Sequence, residues 1–315
     1  MKNLTKIKGD ASSREFFRKQ NNSNSSVLVF AKKEKFKNLI IYDAINKIFI
    51  KNRILAPTLL NENYNKHFIE IQDFGDQTIF NLLSKKKSNK LNYFKKVIKL
   101  LNRIQLIKDT KVRNFKKKIY TIPKYNNQIL IKEANLFCDW YIKKKLSKTK
   151  RKKFSKEFKK IIKTLTYKLK LKNDIFVHRD FHVSNLMLVK NQIGVIDSQD
   201  ALIGNRAYDL ASLIDDVRFK TSKGLKQKIY NFYINKQKKL ESSKFKNDFE
   251  ILSILRNLKI IGIFTRLATR DRKKRYLRLI PYTWKLINTR IYGNVLFDDL
   301  KKLLNKNFKK ELNEN

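Results

Sequence analysis

The chain has 315 residues, more than the roughly 100–150 of a typical single core, so one large domain or two unequal lobes are both open. Hydrophobic residues make up 42% of it, and only 7 glycines and 3 prolines interrupt them, which excludes a largely disordered protein. A net charge of +47 would ordinarily favour a nucleic-acid partner. Because the lysines are scattered along the whole chain, we interpret them mainly as solvated surface residues and expect no nucleic-acid partner.

The sequence carries no pattern typical of export or membrane insertion. The N-terminal segment MKNLTKIKGD is charged, but no apolar stretch follows it. The longest apolar runs are broken well before the roughly 18–20 residues that span a bilayer. The single cysteine, Cys138, cannot form an internal disulfide. We therefore expect a cytoplasmic protein without a membrane span, and we expect it to be a monomer.

The first part of the chain mixes strand and helix patterns. Residues 26–31 are a β-prone run, and residues 34–51 repeat apolar side chains near a 3.6-residue period, which predicts an amphipathic helix. Residues 67–71 predict a second strand. This strand ends at Gln72-Asp73-Phe74-Gly75, a segment with the composition of a turn.

We place a domain boundary after Gly75, because the pattern beyond it is mainly helical. Helices are predicted at residues 90–107, 131–147, 151–170 and from about 206 onward. The lysine-rich tract 143–153 is predicted as an exposed loop, and two short β segments are predicted around residues 174–197. The predicted domains are a small mixed α/β lobe of residues 1–75 and a large, mainly helical lobe of residues 76–315.

The chemically informative stretch is His178-Arg179-Asp180, with Asn185 five residues after the aspartate and Asp197 at the end of a β-prone run. Transfer of a phosphoryl group from ATP needs a carboxylate that orients the acceptor hydroxyl and takes its proton. It also needs oxygen ligands that hold Mg²⁺ on the phosphates. Asp180 supplies the catalytic carboxylate in this interpretation, and Asn185 and Asp197 are the metal ligands.

This spacing matches the H-R-D-L-x-x-x-N motif of protein kinases, whereas their D-F-G motif is only half matched, since Ser198 and Gln199 follow Asp197. His178 and His182 stand four residues apart, as zinc ligands can, but Arg179 occupies the place of the Glu in H-E-x-x-H and no third ligand is evident. We interpret His178 as a packed histidine that orients the catalytic loop. Asp200 is interpreted as structural.

The segment after Asp197 indicates what kind of acceptor is phosphorylated. Protein kinases place a long activation segment ending in A-P-E there. Here a helix is predicted almost at once, from Gly204-Asn205-Arg206 onward, so no room is left for a segment that docks a protein substrate. Asp209, in that helix, is predicted to be a buried acceptor, and a simple helix-dipole aspartate is the alternative.

Three segments resemble the aminoglycoside phosphotransferase-like kinases, and within them the N-acetylmuramate/N-acetylglucosamine anomeric kinases of bacterial cell-wall recycling. They are GDASSREFFR at residues 9–18, HRDFHVSNLM with VIDSQDALIGNRAYDLASLIDD at residues 178–216, and RNLKIIGIFTRLA with the charged residues after it from residue 256. The resemblance implies an α+β, protein-kinase-like two-lobed fold. It implies ATP and Mg²⁺ as cofactors and an amino sugar as the acceptor.

The resemblance also implies where the nucleotide binds. Residues 9–14 would form a turn that covers the phosphates, with Gly9, Ser12 and Ser13 as binding residues. Residues 72–75 would form an interlobe hinge, where the backbone of Gln72 and Asp73 would bind adenine. The usual strand lysine that contacts the α- and β-phosphates has no clear match, and Lys32 is a late candidate for it. The helix that follows lacks an obvious glutamate partner.

Two other functions stay open from the sequence. One is a kinase of another small alcohol, of the aminoglycoside, choline or homoserine type, although a strongly cationic protein is an awkward receptor for a polycationic aminoglycoside. The other is a basic, non-catalytic RNA-binding protein on a kinase scaffold, against which the intact Asp180, Asn185 and Asp197 argue. If the acceptor carries a lactyl carboxylate, a guanidinium or ammonium group would favour it, and the candidates, for which we expect mainly solvated surface roles, are Arg256, Lys259, Arg266 and Arg270.

Overall fold

The structure of the protein is a computed structural model that describes residues 4–7, 14–21, 24–32, 37–85 and 89–313. The chain forms two compact units. Unit 1 comprises residues 1–123 with 175–203, and unit 2 comprises residues 124–174 with 204–315. The predicted division into residues 1–75 and 76–315 stays a prediction, because it concerns functional lobes and compactness alone does not test it.

Unit 1 is built on a five-stranded antiparallel sheet in the order β1-β2-β3-β5-β4. Its strands are β1 Leu4–Ile7, β2 Glu15–Asn21, β3 Asn24–Phe30, β4 Leu59–Asn63 and β5 Phe68–Gln72. The strands predicted at residues 26–31 and 67–71 correspond to β3 and β5. These two pair directly, with Val27 opposite Ile71 and Val29 opposite Ile69. All four side chains are buried, so alternation along each strand directs one face of the sheet into the core.

Helix α1, Lys37–Lys51, packs on this sheet through Leu39 and Tyr42. It matches the predicted helix 34–51 from residue 37 onward, since residues 33–36 lie outside the described part. Further along unit 1 lie α2 Ile79–Leu83, α3 Lys90–Ile104, and the antiparallel pair β6 Lys111–Arg113 and β7 Ile119–Thr121. Helix α3 corresponds to the helix predicted at residues 90–107. Asn89 caps it by accepting a hydrogen bond from the amide of Asn92 at 3.1 Å.

The β segments predicted around residues 174–197 are present as three strands, β8 Asn173–Val177, β9 Leu186–Val189 and β10 Gln192–Val195, and β11 Leu202–Asn205 follows them. Strands β9 and β10 form a hairpin whose two turn residues, Lys190 and Asn191, both have positive φ angles, as a type I′ turn requires. Gly194 in β10 packs closely on the end of the large sheet. A Cβ atom there would lie 2.8 Å from the ring of Phe74.

Unit 2 is mainly helical in its described residues. Its helices are α4 Asn127–Ala134, α5 Lys143–Lys145, α6 Lys148–Tyr167, α7 Ala207–Ile214, α8 Lys223–Ile234, α9 Ser242–Thr269, α10 Ile280–Ile291 and α11 Asp298–Asn313, with a π-helical turn at Phe137–Ile142. The prediction of a loop at residues 143–153 is wrong, although those residues are largely exposed. Lysine favours helix. The buried Phe154, Phe158 and Ile162 also give α6 an apolar stripe that anchors its lysine-rich first turns.

The core of unit 2 is an aromatic cluster around Phe137. Its ring lies 5.6 Å from Phe158 and 5.7 Å from Trp284, centroid to centroid. Helix α9 is buried along most of its 28 residues. No helix in the described part of the chain is both long and apolar enough to cross a membrane.

Candidate active site

The loop that carries Asp180 begins where the buried strand β8 ends. Its backbone is held by short local bonds: the amide of His182 donates to the carbonyl oxygen of Asp180 at 3.1 Å, and the side-chain amide of Asn185 donates to the same oxygen at 3.0 Å. Arg179 has a positive φ of 75°. This conformation is unusual for a residue other than glycine and typical of active-site loops. The two residues predicted for catalysis and metal binding are therefore tied together through the backbone.

His178 connects this loop to the segment that carries Asp197. The ring is fully buried between Phe49 and Phe181, and its Nε2 donates to the carbonyl oxygen of Ile196 at 3.1 Å. Burial lowers the pKa of His178, which favours the neutral imidazole. A buried, neutral histidine that donates to the backbone agrees with its interpretation as a packed residue that orients the loop.

Asp197 follows strand β10 and has a positive φ of 62°. The preceding amide, that of Ile196, donates to the carbonyl oxygen of Asn185 at 3.0 Å. The backbone of Ile196 is thus fixed twice: its N–H binds Asn185, and its carbonyl oxygen binds His178. The structure brings together the loop segments of Asp180, Asn185 and Asp197 in this way.

The donor set around Asn185 and Asp197 fits Mg²⁺ bound together with nucleotide phosphates. Mg²⁺ prefers oxygen ligands and is often held by one or two protein groups plus substrate phosphates. The Asn185 amide nitrogen donates to Asp180, which leaves its oxygen as the atom suited to a metal. Within the described ranges, no group of three or more His, Cys, Asp or Glu side chains forms a cluster that could hold a metal alone.

Arg14 is the last residue of the predicted phosphate-covering turn, and the sequence interpretation gave its side chain no role. Its guanidinium is buried, with 7% of the residue exposed, and it forms an ion pair with Asp197 and donates to Gln199 Oε1 at 2.8 Å. The guanidinium carbon lies 5.7 Å from the ring centroid of Tyr42 and 5.5 Å from that of Phe16. Arg14 falls within the GDASSREFFR segment. A motif match gives no indication of where its side chain points.

Helix α1 also contacts the residue that follows Asp197. Ser198 is fully buried, and its hydroxyl donates to Asn46 Oδ1 at 2.6 Å, while the Asn46 amide nitrogen donates to the carbonyl oxygen of Pro57 at 3.0 Å. Asn46 lies one helical turn after Tyr42. One face of α1 therefore contacts both Arg14 and the segment of Asp197.

The predicted hinge lies at the end of β5. The carboxylate of Asp73 accepts hydrogen bonds from Arg18 Nε at 2.5 Å, Ser25 Oγ at 2.8 Å and the amide of Gly75 at 2.8 Å. Partial burial opposes ionisation, but these hydrogen bonds outweigh it and lower the pKa of Asp73. The Asp73 side chain is therefore occupied by hydrogen bonds within the protein. The Gln72 side chain also has such a bond, since its Oε1 accepts from the hydroxyl of Thr58 at 3.3 Å.

The roles of Gln72 and Asp73 in adenine binding stay predictions, which concern their backbone. The phosphate-covering turn predicted at Gly9, Ser12 and Ser13 lies outside the described residues.

Several other predicted residues can be placed. Asp209 is fully buried on α7, as predicted. Asp200 is exposed and pairs with Arg179 at 3.6 Å, which agrees with a structural role. The expectation of a solvated surface is wrong for Arg256, which is only 5% exposed because α9 is buried on nearly all sides. Lys259 instead pairs with Glu133 at 3.0 Å, and Arg270 with Asp271 at 2.7 Å.

Comparison with known proteins identifies the family. The model of the phosphotransferase enzyme family matches residues 3–237, which is most of the chain. The chain belongs to this phosphotransferase family.

Its relatives include an N-acetylmuramate/N-acetylglucosamine kinase of Neisseria meningitidis, 27% identical over 284 residues that cover 88% of this chain and 82% of the relative. A second, of the same name, from Pseudomonas aeruginosa is 27% identical over 307 residues that cover 96% and 87%.

Solved structures share the fold of this phosphotransferase. An apo structure of a thermostable mutant of the aminoglycoside phosphotransferase APH(4)-Ia has a TM-score of 0.63 at 12% identity and covers 92% of this chain and 95% of that one. Spectinomycin phosphotransferase APH(9)-Ia, in complex with ADP and spectinomycin, has a TM-score of 0.57 at 13% identity and covers 95% and 93%. The predicted α+β, protein-kinase-like fold is confirmed. The chain is a small-molecule kinase and uses a nucleotide.

Proposed function

We propose that this kinase transfers the γ-phosphoryl group of ATP, with Mg²⁺, to the anomeric hydroxyl of N-acetylmuramate or N-acetylglucosamine, as part of cell-wall recycling. The main support for the sugar is that relatives matched over 82% and 87% of their own length are named N-acetylmuramate/N-acetylglucosamine kinases, while the anomeric hydroxyl and cell-wall recycling come from the resemblance in sequence. The general family match ends at residue 237. The third segment of the resemblance begins after it, at Arg256, and so belongs only to the narrower resemblance to the N-acetylmuramate/N-acetylglucosamine kinases.

The proposed roles follow from the loop geometry. The Asp180 carboxylate orients the sugar hydroxyl and takes its proton as the hydroxyl oxygen bonds to the γ-phosphorus. The bond from that phosphorus to the β–γ bridging oxygen breaks, and ADP leaves. Asn185 and Asp197 would hold Mg²⁺, which supplies neutralisation of the phosphate charge.

The net charge favours an acidic sugar over a cationic one. At +47 it opposes the binding of a polycationic aminoglycoside and favours an acceptor that carries a carboxylate, such as the lactyl group of N-acetylmuramate.

Phosphorus and proton NMR of the product tests the acceptor directly. N-acetylmuramate and N-acetylglucosamine are incubated separately with ATP and Mg²⁺, and we expect a sugar 1-phosphate, recognised by coupling of the phosphorus to the anomeric proton. A phosphate on the 6-hydroxyl would overturn the anomeric assignment. Turnover of choline, homoserine or an aminoglycoside in place of both sugars would assign another acceptor.

A cytoplasmic, monomeric enzyme stays a prediction. A basic RNA-binding function would be favoured instead if neither ATP nor any sugar bound while retention on RNA fell with salt along a slope that indicates several phosphate contacts.

A further inference from the structure

A kinase of this fold needs a cation on the α- and β-phosphates, and protein kinases place a strand lysine there. Strand β3 has the sequence NSSVLVF and contains no lysine. Lys32, just after the strand, is exposed, and its charge helps the nearer Lys6 to lower the pKa of Glu15. Lys32 is therefore close enough to Glu15, near the start of β2, to affect its titration.

Arg14 lies where such a cation would act. Its guanidinium contacts Asp197, the carboxylate proposed to hold Mg²⁺. A phosphate that shares a metal ion with Asp197 lies beside that carboxylate, and so within reach of Arg14. Guanidinium groups bind phosphate through two parallel N–H donors, and these bonds are among the strongest in proteins.

The surroundings of Arg14 hold the guanidinium in place. Tyr42 and Phe16 contact the cation through their rings. Tyr42 belongs to α1, and Asn46, one turn later, binds Ser198 next to Asp197. Helix α1 thus positions the cation and the metal-binding segment together, a task that a lysine–glutamate ion pair performs in protein kinases.

We propose that Arg14 is the cation that binds the nucleotide phosphates in this kinase, in place of a strand lysine. It exchanges its contact with Asp197 for phosphate oxygens when the nucleotide binds, while Asp197 takes the metal. The inference rests on the proposed use of ATP and Mg²⁺, and it assigns a role to a residue that neither the motifs nor the family match singles out.

The test is isothermal titration calorimetry of the full chain with ADP in EDTA. Without a divalent metal, Asp197 has no favourable contact with ADP, so the measurement reports direct contacts between protein and phosphate. Arg14→Met retains apolar packing against Tyr42 and removes the charge. We expect affinity for ADP to fall by about 10- to 100-fold, because charge-assisted hydrogen bonds are lost. The affinity of Arg14→Lys for ADP should lie between those of the unaltered protein and Arg14→Met. Adenosine should bind all three proteins equally.

A second background separates phosphate binding from simple neutralisation of Asp197. In Asp197→Asn there is no carboxylate for Arg14 to neutralise. If Arg14 contacts phosphate, adding Arg14→Met to this background still lowers the affinity for ADP by about 10-fold or more. If Arg14 only neutralises Asp197, the double variant binds ADP like Asp197→Asn, and the proposal is overturned.

Two charge-removing variants in the same unit complete the experiment. Lys6→Met removes an exposed charge of the sheet that pairs with Glu15 at 2.5 Å, and ADP affinity should be unchanged. Lys32→Met tests the rival cation, and a large loss there with none in Arg14→Met would overturn the proposal. Absence of ADP binding by the unaltered protein both in EDTA and with Mg²⁺ would instead overturn the proposed use of ATP, and this inference with it. Unaltered adenosine binding shows that each variant is folded.

Discussion

The segments that carry Asp180, Asn185 and Asp197 are linked through the backbone of one residue, Ile196, in this kinase. The N–H of Ile196 binds the carbonyl oxygen of Asn185, and its carbonyl oxygen accepts from His178. The Asn185 side chain in turn binds the carbonyl oxygen of Asp180. A change in any of these bonds would move Asp180 and Asp197 relative to each other. Positions that must be accurate to a fraction of an ångström are thus set by backbone contacts, which are stiffer than contacts between long side chains.

Asp180→Asn tests the proposed base with minimal change in shape. The amide cannot take the proton of the acceptor hydroxyl, so we expect kcat to fall by about 10²–10⁴, or further if orientation is also lost. Affinity for ADP should stay near that of the unaltered enzyme, because the proposal gives Asp180 no contact with the nucleotide. The measurements are steady-state kinetics and calorimetry. Asp174→Asn, the same change at an exposed residue of β8, is the control and should turn over normally. Near-normal turnover of Asp180→Asn would remove it from the catalytic role.

At the scale of elements, the packing of helix α9 explains why a glycine stands in the third segment of the resemblance. Gly262 lies in the middle of RNLKIIGIFTRLA, where α9 meets the segment between α4 and the π-helical turn. A Cβ atom on Gly262 would lie 2.3 Å from the carbonyl carbon and oxygen of Leu136 and 2.7 Å from the nitrogen of Phe137. These neighbours are backbone atoms and cannot rotate away. Glycine is therefore required here by close packing of two backbones.

Gly262→Ala should destabilise the protein although alanine favours helix. Overpacking of a core costs about 1–3 kcal/mol and occasionally more, and here the clash is with backbone, so we expect the upper part of that range or beyond. Gly224→Ala in α8 is the matched control, since no atom lies within 4 Å of its Cβ position. There the substitution should be neutral or stabilise by up to about 1 kcal/mol. Urea unfolding of both variants gives the comparison, and equal midpoints would contradict the packing account.

At the scale of the whole molecule, local patterns predicted local structure well. Alternation and period located β3, β5 and α3, and the spacing from Asp180 to Asn185 and Asp197 indicated phosphoryl transfer before any fold was known. What could not be predicted depends on distant partners. The ion pair of Arg14 with Asp197 joins residues 183 positions apart, and the burial of Arg256 depends on the helices that surround α9. The helical state of residues 148–153 depends on an apolar stripe that begins only at Phe154.

The net charge gives a property of the whole chain that no single contact determines. With 74 basic and 27 acidic side chains, cations exceed anions by 47, and their mutual repulsion opposes the compact state. Ion pairs at the surface contribute only about 0–1 kcal/mol each, so screening them costs little.

Raising NaCl from about 20 to 300 mM, which shortens the screening length to below about 10 Å, should therefore raise Tm. For a chain of this size, each kcal/mol of repulsion removed corresponds to about 2–4 °C. Thermal unfolding followed by circular dichroism checks this, with KCl in place of NaCl as a control for specific cation effects. A fall in Tm with either salt would mean that attractive surface ion pairs, such as that of Lys6 with Glu15, outweigh the repulsion between the remaining lysines.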